Sequence, residues 1–345
     1  MLSDSERRTV QELESALLSD PAFTRAVLPV ARRLQGLSAP VVVGVDADGS
    51  AASALDWAAA EAAGQQRPLR VVHAFCPPMV VLDPFGVAPT VDCLPAQQAA
   101  AAQLVDAALA RVRSIAPGVQ ASASIVRGSP RRVLLRESRD AHLLVLGAGR
   151  RGDRRPRGHG LVHAPLHLRV ATSAGCPVTV VHPSRNAGQD RLPPRVVVGI
   201  DGLAHSDAAV GFAFRAASQR GIAVTAVHAW TADCPADLEA VTAPLVTTEA
   251  GAYALVDGAV ARWRELYPDV PLATEVVRRD PVSALITGSA GAALVVVGSR
   301  GRRGGLGTLF GSVSRAVVDG AAGPVAVVRR GTEPSPPEAY RWAAR

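Results

Sequence analysis

The sequence predicts an α/β protein made of two tandem, doubly wound parallel sheets with a helical extension at the N-terminus. Three observations predict it. Short Val-rich runs alternate with longer Ala-rich stretches of helical period, the pattern of strand–helix units. Runs such as "VVVGI" at 196–200 and "LVVVG" at 294–298 are continuously apolar, so both faces of these strands are buried, as helices on two sides of a parallel sheet require. The whole pattern also occurs twice.

The duplication is read from landmarks in the same order. "VVVGVDADGSAASALDWAAAEA" starts at Val41 and "VVVGIDGLAHSDAAVGFAFRAA" at Val196; Asp46 and Asp201 are 155 residues apart, and so are His73 and His228. "HLLVLGAG" at 142–149 answers "ALVVVGSR" at 293–300, and the copies close on "GCPVTVVHP" and "AGPVAVVRR". Taken in chain order, residues 1–38 predict two helices, the first with Ser3 and Glu6 at capping-box spacing, the second opening at Asp20–Pro21. The first copy spans 39–182. Residues 183–194, "PSRNAGQDRLPP", predict a linker, and 195–330 hold the second copy. Within it, strands are expected near 195–200, 222–230, 272–278, 293–298 and 324–329, and helices near 205–220, 248–266, 281–290 and 312–321. Asp280 before Pro281 has the form of a capped helix start. Residues 331–345, rich in Pro, predict a loosely held tail.

Composition bounds the function. Hydrophobic residues make up 48% of the 345 but aromatics only 4%, so the core is built from Val, Leu and Ala. The net charge of +7 favours anionic partners. Nucleic acid is not favoured, because the arginines lack interleaved aromatics and a recognition motif; the cluster Arg150, Arg151, Arg154, Arg155 and Arg157 reads first as a solvated loop. Cys76, Cys93, Cys176 and Cys234 show no CxxC spacing, which argues against a disulfide framework or zinc site. No apolar run is long enough to span a bilayer and no signal layout opens the chain, so a cytoplasmic protein is expected.

One stretch carries chemistry: "VVVGSRGRRGGLGTLFGSVSRAVV" at 295–318. A glycine ending the fourth strand of the copy lets a ligand approach backbone without a Cβ in the way. A helix expected to begin at Gly311–Ser312 offers free N–H groups and the positive end of its dipole to an anion, and the hydroxyls of Ser312 and Ser314 can add donors. Ligands of open α/β sheets sit at this rim. The spacing is neither the P-loop, since the chain contains no Lys, nor the dinucleotide fingerprint, whose glycines follow a first strand. Taken singly the residues have plainer readings: strand-end glycines serve turns, Asp46 and Asp201 can cap helices, and His73 and His228 suit packing or hydrogen bonding.

The spacing Gly298–x2–Gly301–x9–Gly311–Ser312 resembles the nucleotide motif of the universal stress protein family, and "VVVGIDG", "AVHAW" and "GPVAVVRR" are similar to that family as well. The resemblance implies a Rossmann-like fold akin to adenine-nucleotide alpha-hydrolase-like proteins, and bound ATP, with or without Mg2+. It implies a site of Gly199, Ile200 and Asp201 beside the adenosine, Ala229 on the adenine, Val297, Gly298, Arg300 and Gly301 along the ribose–phosphate loop, and Gly311, Ser312, Val313 and Ser314 on the phosphates. It further implies that "VTVVH" and "VAVVR" pair the copies as an intramolecular pseudo-dimer, with two chains free to associate as a homodimer.

The first copy departs from this. Ala164 and Pro165 stand where Gly311 and Ser312 do, His167 replaces Ser314, and Arg150 falls at Gly301. Proline removes both an N–H and the hydroxyl. That site is degraded, or turns its arginines to another anion. The function expected is a nucleotide-responsive stress regulator, non-catalytic or very slow on ATP, since no Lys neutralises a γ-phosphate and no acidic pair is evident for Mg2+. The alternatives are a ligand-free scaffold, recruiting a partner through residues 1–38, and a binder of another adenine nucleotide such as cyclic AMP.

Overall fold

The computed structural model describes residues 39–46, 51–76, 94–149, 164–183, 193–202, 206–230, 248–299 and 311–332. Two units separate, Met1–Ala39 and Pro40–Arg345, and every described strand and helix lies in the second. The two helices expected in 1–38, most of the linker and nearly all of the tail lie outside the described residues.

The first copy runs β1 (Val41–Val45), α1 (Ala52–Gly64), β2 (Leu69–Phe75), α2 (Leu94–Ile115), β3 (Ala121–Arg127), α3 (Pro130–Glu137), β4 (Leu143–Gly147), α4 (Leu166–Ala171) and β5 (Val178–Val181). The second repeats the order: β6 (Arg195–Gly199), α5 (Ser206–Arg220), β7 (Ala223–Trp230), α6 (Glu249–Leu266), β8 (Leu272–Arg278), α7 (Pro281–Gly288), β9 (Ala292–Gly298), α8 (Ser312–Gly320) and β10 (Val325–Val328). Every strand and helix expected in the second copy is present within two residues of its predicted ends. Asp280 caps α7 as its position before Pro281 requires, its Oδ1 accepting from Ser283 N–H at 3.0 Å.

All ten strands form one sheet, ordered β3-β2-β1-β4-β5-β10-β9-β6-β7-β8. Each half is parallel. The halves join at β5 and β10, which run antiparallel with Val325 opposite Val180 and Val327 opposite Val178. This is the pairing of last strands that the resemblance implied, and it covers two edges that would otherwise be open to other chains. In the second copy the chain leaves β6 toward β7 and β8, then returns to place β9 on the other side of β6. The order therefore reverses between β6 and β9, and that reversal opens a crevice at their carboxyl ends.

Because alternate residues of a strand face opposite sides, the buried valines divide into two clusters. Val41, Val43, Val196, Val198 and Ile200 pack with α1, α2, α5 and α6; Val42, Val197, Val295 and Val297 pack with α3, α4, α7 and α8. Both clusters run through both copies. The junction is also held from outside the sheet. His182, following β5, bonds the Val318 carbonyl near the end of α8 at 2.7 Å, and Arg329, its counterpart after β10, donates to the Ala174 carbonyl beyond α4 at 2.6 Å. Beneath the sheet Arg220 of α5 forms an ion pair with Glu61 of α1 and lies 6.0 Å from the Trp57 ring centroid.

Candidate functional site

The described residues singled out in the second copy lie at the ends of β6, β7 and β9 and at the start of α8. Gly199 ends β6, and Ile200 and Asp201 follow it. Gly298 ends β9, in register with Val328 on the neighbouring strand. Helix α8 begins at Ser312 with Gly311 as its N-cap, and the Gly311 N–H donates to the Ser299 carbonyl at 3.0 Å, which fastens the helix start to the end of β9. Arg300 and Gly301 lie outside the described residues.

The start of α8 presents backbone N–H groups and the positive end of the helix dipole. Gly311 has φ −67° and ψ 141°, extended backbone that any residue adopts, and no side chain caps the helix. Two other helices of the same copy are capped: Thr248 accepts from Gly251 N–H at 3.1 Å ahead of α6, and Asp280 caps α7. Glycine is itself a common N-cap, only a few tenths of a kcal/mol below Ser, Thr, Asp or Asn, and the backbone at Gly311 does not demand it. The first-turn N–H groups, which have no acceptor within a helix, are therefore not covered by a capping side chain. Ser312 is exposed and Val313 half-buried.

Ser314 differs from expectation. It is buried, and its hydroxyl donates to the Gly298 carbonyl at 2.6 Å. Its proton is thus used within the protein rather than offered to a phosphate, because position 314 turns inward one step into the helix, toward the end of β9. Gly199 also has a structural use: a Cβ there would lie 3.0 Å from Leu285 Cδ1, and the matching Gly44 would meet Leu146 Cδ2 at 2.9 Å. Ile200 and Val297 are core residues, 5% and 4% exposed, so only their backbone can face the crevice. Ala229 is half-buried against the same apolar cluster as Val313.

The histidines do structural work. The His228 Nδ1 lies 2.8 Å from the Ile200 carbonyl and the His73 Nδ1 2.9 Å from the Val45 carbonyl. A carbonyl only accepts, so Nδ1 carries the hydrogen in both. Each imidazole holds the end of the neighbouring strand just before the aspartate. Asp201 is linked to the start of α5: the Ser206 hydroxyl donates to its Oδ1 and accepts from its N–H at 3.2 Å. Sequence reasoning passed over Ser206, although its counterpart 155 residues earlier is Ala51, and that difference was the available signal.

In the first copy the crevice is altered as its sequence implies. Pro165 takes the N-cap position, α4 is only six residues long, and Ala164 is buried. His167 is buried where Ser314 stands in the other copy, and burial, with the nearby His182, pushes its imidazole down to about 4. The arginine cluster of that loop lies outside the described residues. Cys176 is buried and free, its thiol pushed up to about 12 by burial, which suits a small apolar filler. Cys76 is free and exposed, while Cys93 and Cys234 lie outside the described residues.

The model of the universal stress protein family matches residues 39–182 and again 194–329. The chain belongs to the universal stress protein family. Its relatives include universal stress proteins of Mycobacterium tuberculosis, 37% identical over 303 residues that cover 84% of this chain and 97% of the relative, and of Mycolicibacterium smegmatis, 34% identical over 296 residues covering 84% and 96%. A solved universal stress protein from Archaeoglobus fulgidus shares the fold at 15% identity, covering 86% of this chain and 98% of its own, with a TM-score of 0.60. Among the described residues, no helix of this universal stress protein is long and apolar enough to cross a membrane.

Proposed function

We propose that the second copy of this universal stress protein binds an adenine nucleotide, with ATP the first candidate, and that occupancy biases a regulatory surface rather than driving turnover. The observation supporting it most is the uncapped start of α8, with glycine at an ordinary backbone angle, at the switch point of strand order. In this reading the N–H groups of Ser312, Val313 and Ser314 receive phosphate oxygens, with the Ser312 hydroxyl beside them. Gly298, Arg300 and Gly301 border the ribose and phosphates. Asp201 accepts from the ribose, and the backbone at Ala229 meets the adenine. Ser314 acts from behind, holding Gly298 to the helix. Mg2+ would enter with the phosphates, since among the described residues no three His, Cys, Asp or Glu side chains converge.

The two domains in this reading are 39–182 and 195–330, joined by 183–194, and the first is without a nucleotide because Pro165 and Ala164 close its cradle. A cytoplasmic setting and recruitment of a partner through residues 1–38 complete the proposal. Thermal shift tests it. A ligand that binds only the folded state at 100 times its Kd adds about 2.7 kcal/mol of stability. A rise in melting temperature with millimolar ATP supports the reading; no shift favours the scaffold. Competition by cyclic AMP ranks the two nucleotides.

A further inference from the structure

The two copies provide an internal comparison at the end of their first strand. In the second, Asp201 is half-buried and its carboxylate is held by the Ser206 hydroxyl, which also accepts from the Asp201 N–H at 3.2 Å. The chain leaves Asp201 through Gly202, whose φ of 78° is left-handed and whose Cβ, if present, would lie 2.4 Å from Leu255 Cδ1. From the other side His228 holds the Ile200 carbonyl at 2.8 Å. Asp201 is thus fixed on three sides, by the imidazole before it, the glycine turn after it and the hydroxyl on its carboxylate. In the first copy the histidine contact persists, His73 to the Val45 carbonyl at 2.9 Å. Yet Ala47 stands at the place of Gly202 and Ala51 at that of Ser206, and Asp46 is exposed. Neither alanine belongs to the phosphate cradle, so the copies have diverged at a second place along the crevice.

We propose that Ser206 is the positioning residue for Asp201, holding its carboxylate in the orientation that receives a ribose hydroxyl. The inference rests on the nucleotide reading of the second copy. The chemistry is that of a neutral donor on an anionic acceptor. The serine proton restrains one carboxylate oxygen without cancelling its charge, as an arginine partner would. The carboxylate therefore keeps its power to accept from a hydroxyl of the sugar. Fixing it before the ligand arrives removes the ordering cost from the binding step. The first copy, with Ala51, has lost this mount and is unfit for ribose as well as for phosphate.

The test is isothermal titration of the full chain with ATP and with 2′-deoxy-ATP, on wild type, Ser206→Ala, Asp201→Ala, the double variant and Gly311→Val. Wild type should prefer ATP. Ser206→Ala should weaken ATP about five- to tenfold and narrow the preference over the deoxy form. Asp201→Ala should abolish the preference, and adding Ser206→Ala to it should change nothing further, because Ser206 acts only through that carboxylate. A general folding defect would instead weaken both nucleotides equally and persist in the double variant, and either result overturns the proposal. So does an unchanged Ser206→Ala. If that variant is unchanged while Gly311→Val binds no ATP, the site stands and only the positioning role falls. If Gly311→Val binds ATP as wild type does, the nucleotide reading falls and takes the proposal with it.

Discussion

Replacing Arg220 by Leu should destabilise the junction between the copies by about 2–3 kcal/mol. Glu61 is 7% exposed and Arg220 21%, so their ion pair is largely removed from water. Breaking a fully buried pair by removing one partner typically costs about 3–5 kcal/mol, because the remaining charge stays buried and unpaired. The value is lower here because Gln65 still donates to the Glu61 carboxylate at 2.5 Å and the arginine is partly wet. The Arg220 guanidinium carbon also lies 6.0 Å from the Trp57 ring centroid, a cation–π contact that leucine replaces with an apolar one. The assay is urea unfolding of wild type, Arg220→Leu, Glu61→Leu and the double variant. The double variant should lie within about 1 kcal/mol of wild type, since an apolar pair avoids the desolvation of both charges. Coupling of more than about 1 kcal/mol between the two sites is expected. Strict additivity of the single effects would show that Glu61 and Arg220 do not act as a pair, and would refute this account of the junction.

Other outcomes are expected from the same contacts. Burial, with Arg67 and Arg215 nearby, pushes the His142 imidazole down to about 3, while His167 lies at about 4. Both fold neutral and take up protons more readily when unfolded, so their stabilisation is complete above pH 6.5 and declines as pH falls toward these values. Between pH 6.5 and 5 each should cost up to about 1.4 kcal/mol per pH unit, and His142→Gln should flatten a plot of unfolding free energy against pH in that window. Gly211→Ala brings a Cβ to 2.4 Å from the Trp263 ring, whose Nε1 donates to Asp207 at 2.8 Å; a loss of about 1–3 kcal/mol, read by tryptophan fluorescence, is expected. Ser314→Ala should lower stability by about 1 kcal/mol through the lost bond to Gly298, whereas Ser312→Ala should leave stability unchanged and weaken ATP in titration.

The fold was legible because its signals are local and repeated. Continuous Val runs mark strands buried on two sides, Asp280–Pro281 marks a helix start, and the 155-residue offset of Asp46 and Asp201 marks the duplication. The motif glycines also lie at the carboxyl-end rim expected of them, since strand order places β9 beside β6 and Gly311 is bonded to the end of β9. What escaped was the direction of side chains. Ser312 and Ser314 look alike in sequence, yet two residues along a helix is over half a turn, enough to leave one exposed and the other buried on Gly298. Glu61 and Arg220 meet across 159 residues, through a sheet junction that no local pattern encodes. Gly211 and Trp263 replace Asp56 and Val112 of the first copy, a small-for-large exchange visible only once α5 and α6 are packed.

The central claim is a single nucleotide held at the start of α8. Equilibrium titration of the purified full chain with ATP, read as moles bound per mole of protein for wild type and Gly311→Val, tests it most directly. One nucleotide per wild-type chain and none for Gly311→Val is expected, with the variant still folded and within about 1 kcal/mol of wild-type stability, the cost of valine at an N-cap. One nucleotide bound by both proteins would place the ligand elsewhere and contradict the claim.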